Sequence, residues 1–274
     1  MIDPGLAGRV ALITGANQGI GAAAARALAD QGARVFLTFL RLGAEDPGVV
    51  ATALPSYAAA RAQTADALVA EIIDRGGDAA AWEADLGDPA VVPELFERVE
   101  ATLGPVEILV NNADAWVGDT FLPDAVDRFG RRLTSVTAAS YDHSFAVNSR
   151  APALVIAEFA RRHVRRGATW GRIISLTTGG SAGFPEEVSY GASKNALESY
   201  TLAAAFELGR HGITANVLCP PPTDTGWLSA EMAASLASQG PLYHIGQPAE
   251  VAELIVFLAS QQARYITGQK ITMR

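Results

Sequence analysis

Tyr190-Gly191-Ala192-Ser193-Lys194 sets a phenol and an ammonium at i and i+4, positions that share one face of a helix. A phenol titrates near pH 10 and is a poor proton donor or acceptor at neutral pH. A cation about 4 Å away, at an effective dielectric constant of about 20, is worth about 4 kcal/mol, or roughly three pKa units. The pair is therefore expected to bring Tyr190 down toward the pH at which acid–base transfer is efficient. An isolated Tyr-x3-Lys is more often a solvated surface pair, so its company matters. That company includes Thr14-Gly15-Ala16-Asn17-Gln18-Gly19-Ile20-Gly21, with the spacing Gly-x3-Gly-x-Gly. Glycines there admit positive φ and let the backbone approach a pyrophosphate. A helix beginning near Gly21 adds unpaired N–H groups and the positive end of its dipole. The bland alternative is a plain strand-to-helix connection. No Lys-Ser or Lys-Thr pair follows the loop, which removes support for nucleotide hydrolysis.

Both features need a scaffold. Short β-branched runs at Val10–Thr14, Arg34–Phe39, Ala79–Glu83, 106–110, 172–176 and 213–218 alternate with Ala-rich helical stretches, the first at 21–31. Near-continuous apolar strands separated by helices predict a parallel sheet covered on both faces. The expected fold is α/β: a single-domain, doubly wound, Rossmann-like parallel sheet in three αβα layers over 1–274, with ligands beyond the carboxyl ends of the strands. The stretch 42–63, with Pro47, Gly48 and Pro55, is too long for a βα loop of about 2–6 residues, and reads as an irregular insertion, functional or mobile.

Composition narrows the function classes. With 21 Lys and Arg against 29 Asp and Glu, the net charge of −8 disfavours nucleic acid as the main partner. The basic turn Arg161, Arg162, Arg165 and Arg166 reads instead as cations at a helix C-terminus. A lone Cys219 forms no internal disulfide. No apolar run reaches the roughly 18 residues of a membrane span, and the first residues, with Asp3 and Pro4, lack a signal-peptide core. His143, His163, His211 and His244 have no metal-ligand spacing, so no metal is expected. A soluble, cytoplasmic protein is the expectation.

Taken in order, the 14–21 loop, Asn111-Asn112-Ala113, Asn148 and Tyr190-x3-Lys194 resemble the signatures of the short-chain dehydrogenase/reductase family, of the classical type, across roughly 9–271. The resemblance implies an NAD(P)(H)-dependent oxidoreductase acting on a small-molecule carbonyl or alcohol, carbonyl reductase-like or 3-oxoacyl reductase-like. It implies catalytic roles for Asn148, Thr178, Tyr190 and Lys194. Tyr190 would be the acid/base, Lys194 would lower its pKa and bond the nicotinamide ribose, and Asn148 would hold a relay water. Gly15, Asn17, Gln18, Gly19, Ile20 and Gly21 would receive the cofactor, Asp85 and Leu86 its adenine. Asn112 and Ala113 would line the cleft, while Pro220, Thr223 and Thr225 would approach the carboxamide. It further implies a homodimer or homotetramer built on helix faces, and a substrate lid at about 225–240.

The sequence also departs from that pattern. The family's substrate-orienting serine is replaced by Thr178 when aligned from the preceding strand, or by Thr177 when counted back from Tyr190, with Ser181 a third candidate. Thr178 is preferred, because the strand fixes its direction. Asp114 replaces the glycine that usually completes Asn-Asn-Ala-Gly, and its carboxylate is expected to repel cofactor phosphates or alter the turn. Pro221 stands where Pro-Gly is usual, and the Asp-Gly-Gly tail is absent. The second strand ends in Phe39, Leu40 and Arg41 with no carboxylate, and Arg41 can pair with a 2′-phosphate, so NADP(H) is favoured over NAD(H). Gln18 occupies a position that is often basic in NADP users. Glu186, Glu187, Trp116, Phe184 and Trp227 are expected to border the cleft. A nucleotide-binding sensor or scaffold with weak catalysis is the alternative function, and a lyase or epimerase on the same fold a third.

Overall fold

A computed structural model describes residues 3–43, 55–123, 125–127, 130–179, 183–236 and 244–273. The chain runs β1 (Val10–Thr14), α1 (Gly19–Asp30), β2 (Arg34–Phe39), α2 (Pro55–Arg61), α3 (Asp66–Asp74), β3 (Ala79–Glu83), α4 (Val91–Thr102) and β4 (Ile108–Asn111). A small pair, β5 (Asp119–Thr120) and β6 (Thr134–Ser135), precedes α5 (Ala138–Phe145), a π turn at Ala146–Arg150 and α6 (Ala151–Arg165). Then come β7 (Gly171–Leu176), α7 (Val188–Leu208), β8 (Ile213–Cys219), α8 (Ala230–Leu236), α9 (Pro248–Ala259) and β9 (Lys270–Thr272).

Among the described residues, seven strands form one sheet in the order β3-β2-β1-β4-β7-β8-β9, parallel at every pairing. Every residue of β1 is buried, which explains its continuous apolar sequence. Successive side chains point to opposite faces, so Ala11 and Ile13 join the cluster with α1 and α9 while Val10 and Leu12 join the one with α4 and α6. Each buried Leu or Ile contributes about 1.5–3 kcal/mol, and these two layers hold the sheet between them. Strand order reverses between β1 and β4, and the loops leaving those strands open a crevice at their carboxyl ends.

Two segments differ from the sequence reading. Part of 42–63 is helical rather than irregular: α2 starts at Pro55, a residue suited to a first helical position, and its Tyr57 and Arg61 pair at i and i+4 through a 2.7 Å hydrogen bond. Pro47 and Gly48 lie outside the described residues. Strand β9 was absent from the apolar runs because it is three residues long and only partly buried. Within the expected lid, α8 forms, and 237–240 lie outside the described residues.

Asp119 positions the long helix α7. Its buried carboxylate accepts from Ser189 N at 2.9 Å, from the Ser189 hydroxyl and from Ser140 Oγ at 2.9 Å, tying β5 and α5 to the first turn of α7. A carboxylate there also complements the positive end of the helix dipole.

Candidate active site

The turn after β1 is built to leave space. Gly15 and Gly19 have φ of 64° and 55°, where a side chain is strained. A Cβ on Gly15 would lie 2.7 Å from Ala113 Cα, and one on Gly21 would lie 2.4 Å from Gly15 O. Asn112 fixes this geometry by donating to Thr14 O and Gly15 O, each at 2.9 Å. Thr14 Oγ1 in turn accepts from Asn112 N and Ala113 N at 2.9 Å. Gln18 caps α1 without a side-chain hydrogen bond, so the helix's first N–H groups have no capping side chain. A backbone cradle against an uncapped helix N-terminus fits the pyrophosphate of a dinucleotide.

From this cradle a cleft of about 960 Å³ runs past the ends of the strands. It is lined by Gly15, Asn17, Gln18, Gly19 and Ile20, by Asp85, Leu86, Asn112 and Ala113, by Thr177, Thr178, Tyr190 and Lys194, and by Pro220, Thr223 and Thr225. Gly21, Arg41 and Asn148 are not among its lining residues. Trp116, Phe184, Glu187 and Trp227 border it as the sequence suggested, whereas Glu186 is not among its lining residues. Ser181 lies outside the described residues. Thr225 packs against the cradle, its Cγ2 3.0 Å from where a Gly19 Cβ would stand. Thr223 is buried and turned back on Pro221 O at 2.8 Å.

Thr177 and Thr178 separate by partner. Thr177 is buried and donates to Glu198 Oε1 at 2.7 Å, a carboxylate that also holds Lys270. Thr178 is half-buried on the cleft wall. Asn148 lies in the π turn, with both amide hydrogens used: one to Ala115 O at 2.7 Å, the other to Ser193 Oγ at 3.0 Å. Its Oδ1 accepts from Ala115 N at 2.8 Å. Asn148 is fully buried, and these three bonds fix it between the loop at Ala115 and α7.

The environment of Tyr190 reverses one expectation. Lys194 Nζ stands 5.7 Å from the centre of the Tyr190 ring, but it is paired with Asp114 Oδ1 at 2.9 Å. Burial pushes the phenol well above its ordinary value, and the Asp114 carboxylate adds to that, followed by Glu187. Lys194 is not an isolated cation: a carboxylate stands beside it and opposes its charge. Asp114 thus faces the ammonium.

Arg41 also differs from expectation. Its Nε donates to both oxygens of Glu83, at 3.0 and 2.9 Å, rather than standing ready for a phosphate. Strand register explains this: Phe39 lies beside Glu83, so the chain leaving β2 turns onto that carboxylate. In the basic turn of α6, Arg162 pairs with Glu158 and Glu100, while Arg166 donates to Val106 O, so these cations brace the fold.

Sequence reasoning missed Tyr57, Arg61, Arg131 and His143, which also line the cleft. Arg61 donates to Tyr57 Oη and to Asp114 O, bringing α2 beside the Asp114 loop. The Tyr57-x3-Arg61 spacing was the available signal. Gly191, inside the Tyr-x3-Lys motif, admits Phe184, since a Cβ there would lie 2.3 Å from Phe184 Cβ.

A doubly wound parallel sheet, a glycine cradle and a Tyr–Lys pair in one cleft define a dinucleotide-binding oxidoreductase. Residues 50–273 match the family profile described as enoyl-(acyl carrier protein) reductase, and residues 9–58 match that of short chain dehydrogenase. The uncharacterized oxidoreductase YjdA of Bacillus subtilis is 35% identical over 266 residues, covering 96% of this chain and 94% of its own. Versicolorin reductase stcU of Emericella nidulans is 32% identical over 283 residues, covering 97% and 94%. Among solved structures, a blue fluorescent protein from a metagenomic library, in complex with NADPH, is 34% identical with a TM-score of 0.74, covering 97% of this chain and 96% of that one. The chain belongs to the short-chain dehydrogenase/reductase family.

Proposed function

We propose that the protein is an NADP(H)-dependent reductase of a small-molecule ketone or aldehyde, reversible to the alcohol, with Tyr190 as acid/base. The observation that carries this reading is the convergence of Tyr190, Lys194 and Thr178 on the cleft that begins at the glycine cradle. The dinucleotide, when bound, supplies or accepts the hydride. Thr178 and Tyr190 hydrogen-bond the carbonyl oxygen, and Tyr190 gives it a proton as negative charge develops there. Lys194 donates to Leu176 O at 3.3 Å and faces Asp114, leaving its third N–H for a ligand hydroxyl. Asn148 holds the π turn and the loop at Ala115 in place behind the pair.

The NADP(H) preference is supported by Phe39 and Leu40 at the end of β2, where no carboxylate opposes a 2′-phosphate, and by the NADPH-complexed relative. In this reading Arg41 leaves Glu83 to meet the phosphate. The aromatic walls Tyr57, Trp116, Phe184 and Trp227 support a planar or cyclic carbonyl substrate. Interleaving of cofactor and catalytic residues along one sheet supports a single domain. Exposed Tyr200 and Phe206 on α7 support a homo-oligomer.

The test is loss of NADPH absorbance with a panel of aromatic and cyclic ketones and aldehydes. Tyr190→Phe is expected to lower turnover by about 10²–10⁴-fold while NADPH still binds. The competing reading, a binding protein with little catalysis, draws on Asp114 occupying Lys194, and predicts NADPH binding with no turnover across the panel.

A further inference from the structure

Asp114 reaches toward the proposed reaction centre from the loop after β4. Its Oδ1 is buried and takes no aligned hydrogen bond among the described residues, yet it lies 2.9 Å from Lys194 Nζ. What it offers the site is therefore charge. The ammonium is 4% exposed and the carboxylate 32%, so the pair joins the interior of the site to its solvent side. Such a pair is screened less than a surface one.

We propose that Asp114 is a positioning residue that holds and neutralises Lys194, keeps the Tyr190 phenol protonated and so biases the site toward carbonyl reduction. This rests on Tyr190 being the proton donor. A donor must hold its proton at the working pH, whereas an unopposed ammonium would draw the phenol toward ionisation. Asp114 offsets that pull, and alcohol oxidation, which needs the phenolate, is disfavoured by the same charge.

Other charged groups face Tyr190 and bear on its titration. Glu187, at the start of α7, acts in the same direction as Asp114, but Arg131 from the β5–β6 connection lies 3.8 Å from it. On α2, Arg61 donates to Tyr57 Oη at 2.7 Å and to Asp114 O at 3.4 Å. His143 of α5 lines the same cleft, and the Cys219 thiol is pushed up by burial and stays neutral. Asp114 is distinguished by its contact with the Lys194 ammonium, which lies 5.7 Å from the centre of the Tyr190 ring.

The test is Asp114→Asn, which keeps side-chain size and removes the charge. The lost carboxylate is expected to move the phenol down by about 1–2 pH units. Alkaline titration of tyrosinate absorbance in cofactor-free protein reads this directly, each protein being compared with its Tyr190→Phe counterpart to isolate Tyr190. The expected result is a lower Tyr190 midpoint in D114N, with the alkaline limb of reductive kcat moving down by a similar amount. Asp114→Glu is expected to restore the original profile, and Asp114→Gly replaces D114N should that variant fold poorly. An unchanged or raised midpoint overturns the proposal. Full activity of Tyr190→Phe instead overturns the donor assignment, and the absorbance titration still reports separately what Asp114 does to the phenol.

Discussion

Gly21→Ala tests whether the turn after β1 is a cradle or only a connection. The added Cβ would lie 2.4 Å from Gly15 O, 2.6 Å from Asn112 Nδ2 and 2.9 Å from Ala16 Cα, where ordinary contact begins at 3.4 Å. Either α1 or the loop must therefore yield by about 1 Å, a distance set by carbon–oxygen repulsion. The loop is held by both Asn112 bonds and by Ala16 N donating to Thr38 O at 3.1 Å. Overpacking of this kind costs about 1–3 kcal/mol, and a lost Asn112 bond adds about 1 kcal/mol. At about 2–4 °C per kcal/mol the melting temperature falls by roughly 5–15 °C. Because the displaced carbonyl and N–H groups form the cradle, NADPH affinity falls at least about tenfold, which corresponds to about 1.4 kcal/mol. Fluorescence titration with NADPH, below the variant's melting temperature, measures it. Gly209→Ala is the control, since a Cβ there meets nothing within 4 Å. Unchanged NADPH affinity in Gly21→Ala would refute the cradle.

Two ion pairs give further expected outcomes, Arg41–Glu83 and the Glu158 cluster. Glu83→Gln releases Arg41 from its bidentate partner, and is expected to tighten NADPH several-fold relative to NADH. An unchanged ratio in paired titrations shows that Arg41 does not read the 2′-phosphate. Glu158 is held at about 2 by hydrogen bonds from Arg161 and then Arg162, below its ordinary 4.5. A lowered carboxyl stabilises the fold fully above its ordinary value and loses that contribution as pH falls from about 4.5 toward 2. Glu158→Gln should therefore cost about 1–2 kcal/mol at pH 7, after screening by solvent at exposed Arg161. Urea midpoints of the two proteins should converge on going from pH 7 to pH 3, and a constant gap contradicts the assignment.

The central strands were legible because burial on both faces demands unbroken apolar runs, and β1 and β2 begin and end where those runs do, as does the partly buried edge strand β3. β9 was not, being a short, partly exposed edge with too few residues to show a period. α2 was hidden because its Ala-rich turn follows a Pro- and Gly-containing stretch that reads as loop. The glycine loop and Tyr190-x3-Lys194 were readable because their geometry is local. The partners of their charges were not. Asp114 meets Lys194, and Glu83 meets Arg41, only after β4 and β3 take their places in the sheet. Spacing therefore located the phenol and the ammonium, whereas the direction of the phenol's shift is set first by its burial and then by a carboxylate from another element.

The central claim is that Tyr190 gives the proton in NADPH-dependent carbonyl reduction, and single-turnover mixing of NADPH-loaded protein with an active ketone from the panel tests it most directly. Wild-type protein should show NADPH absorbance decay matched by alcohol formation, and Tyr190→Phe should bind NADPH with similar affinity yet decay about 10²–10⁴-fold more slowly. A variant that decays at the wild-type rate would contradict the account.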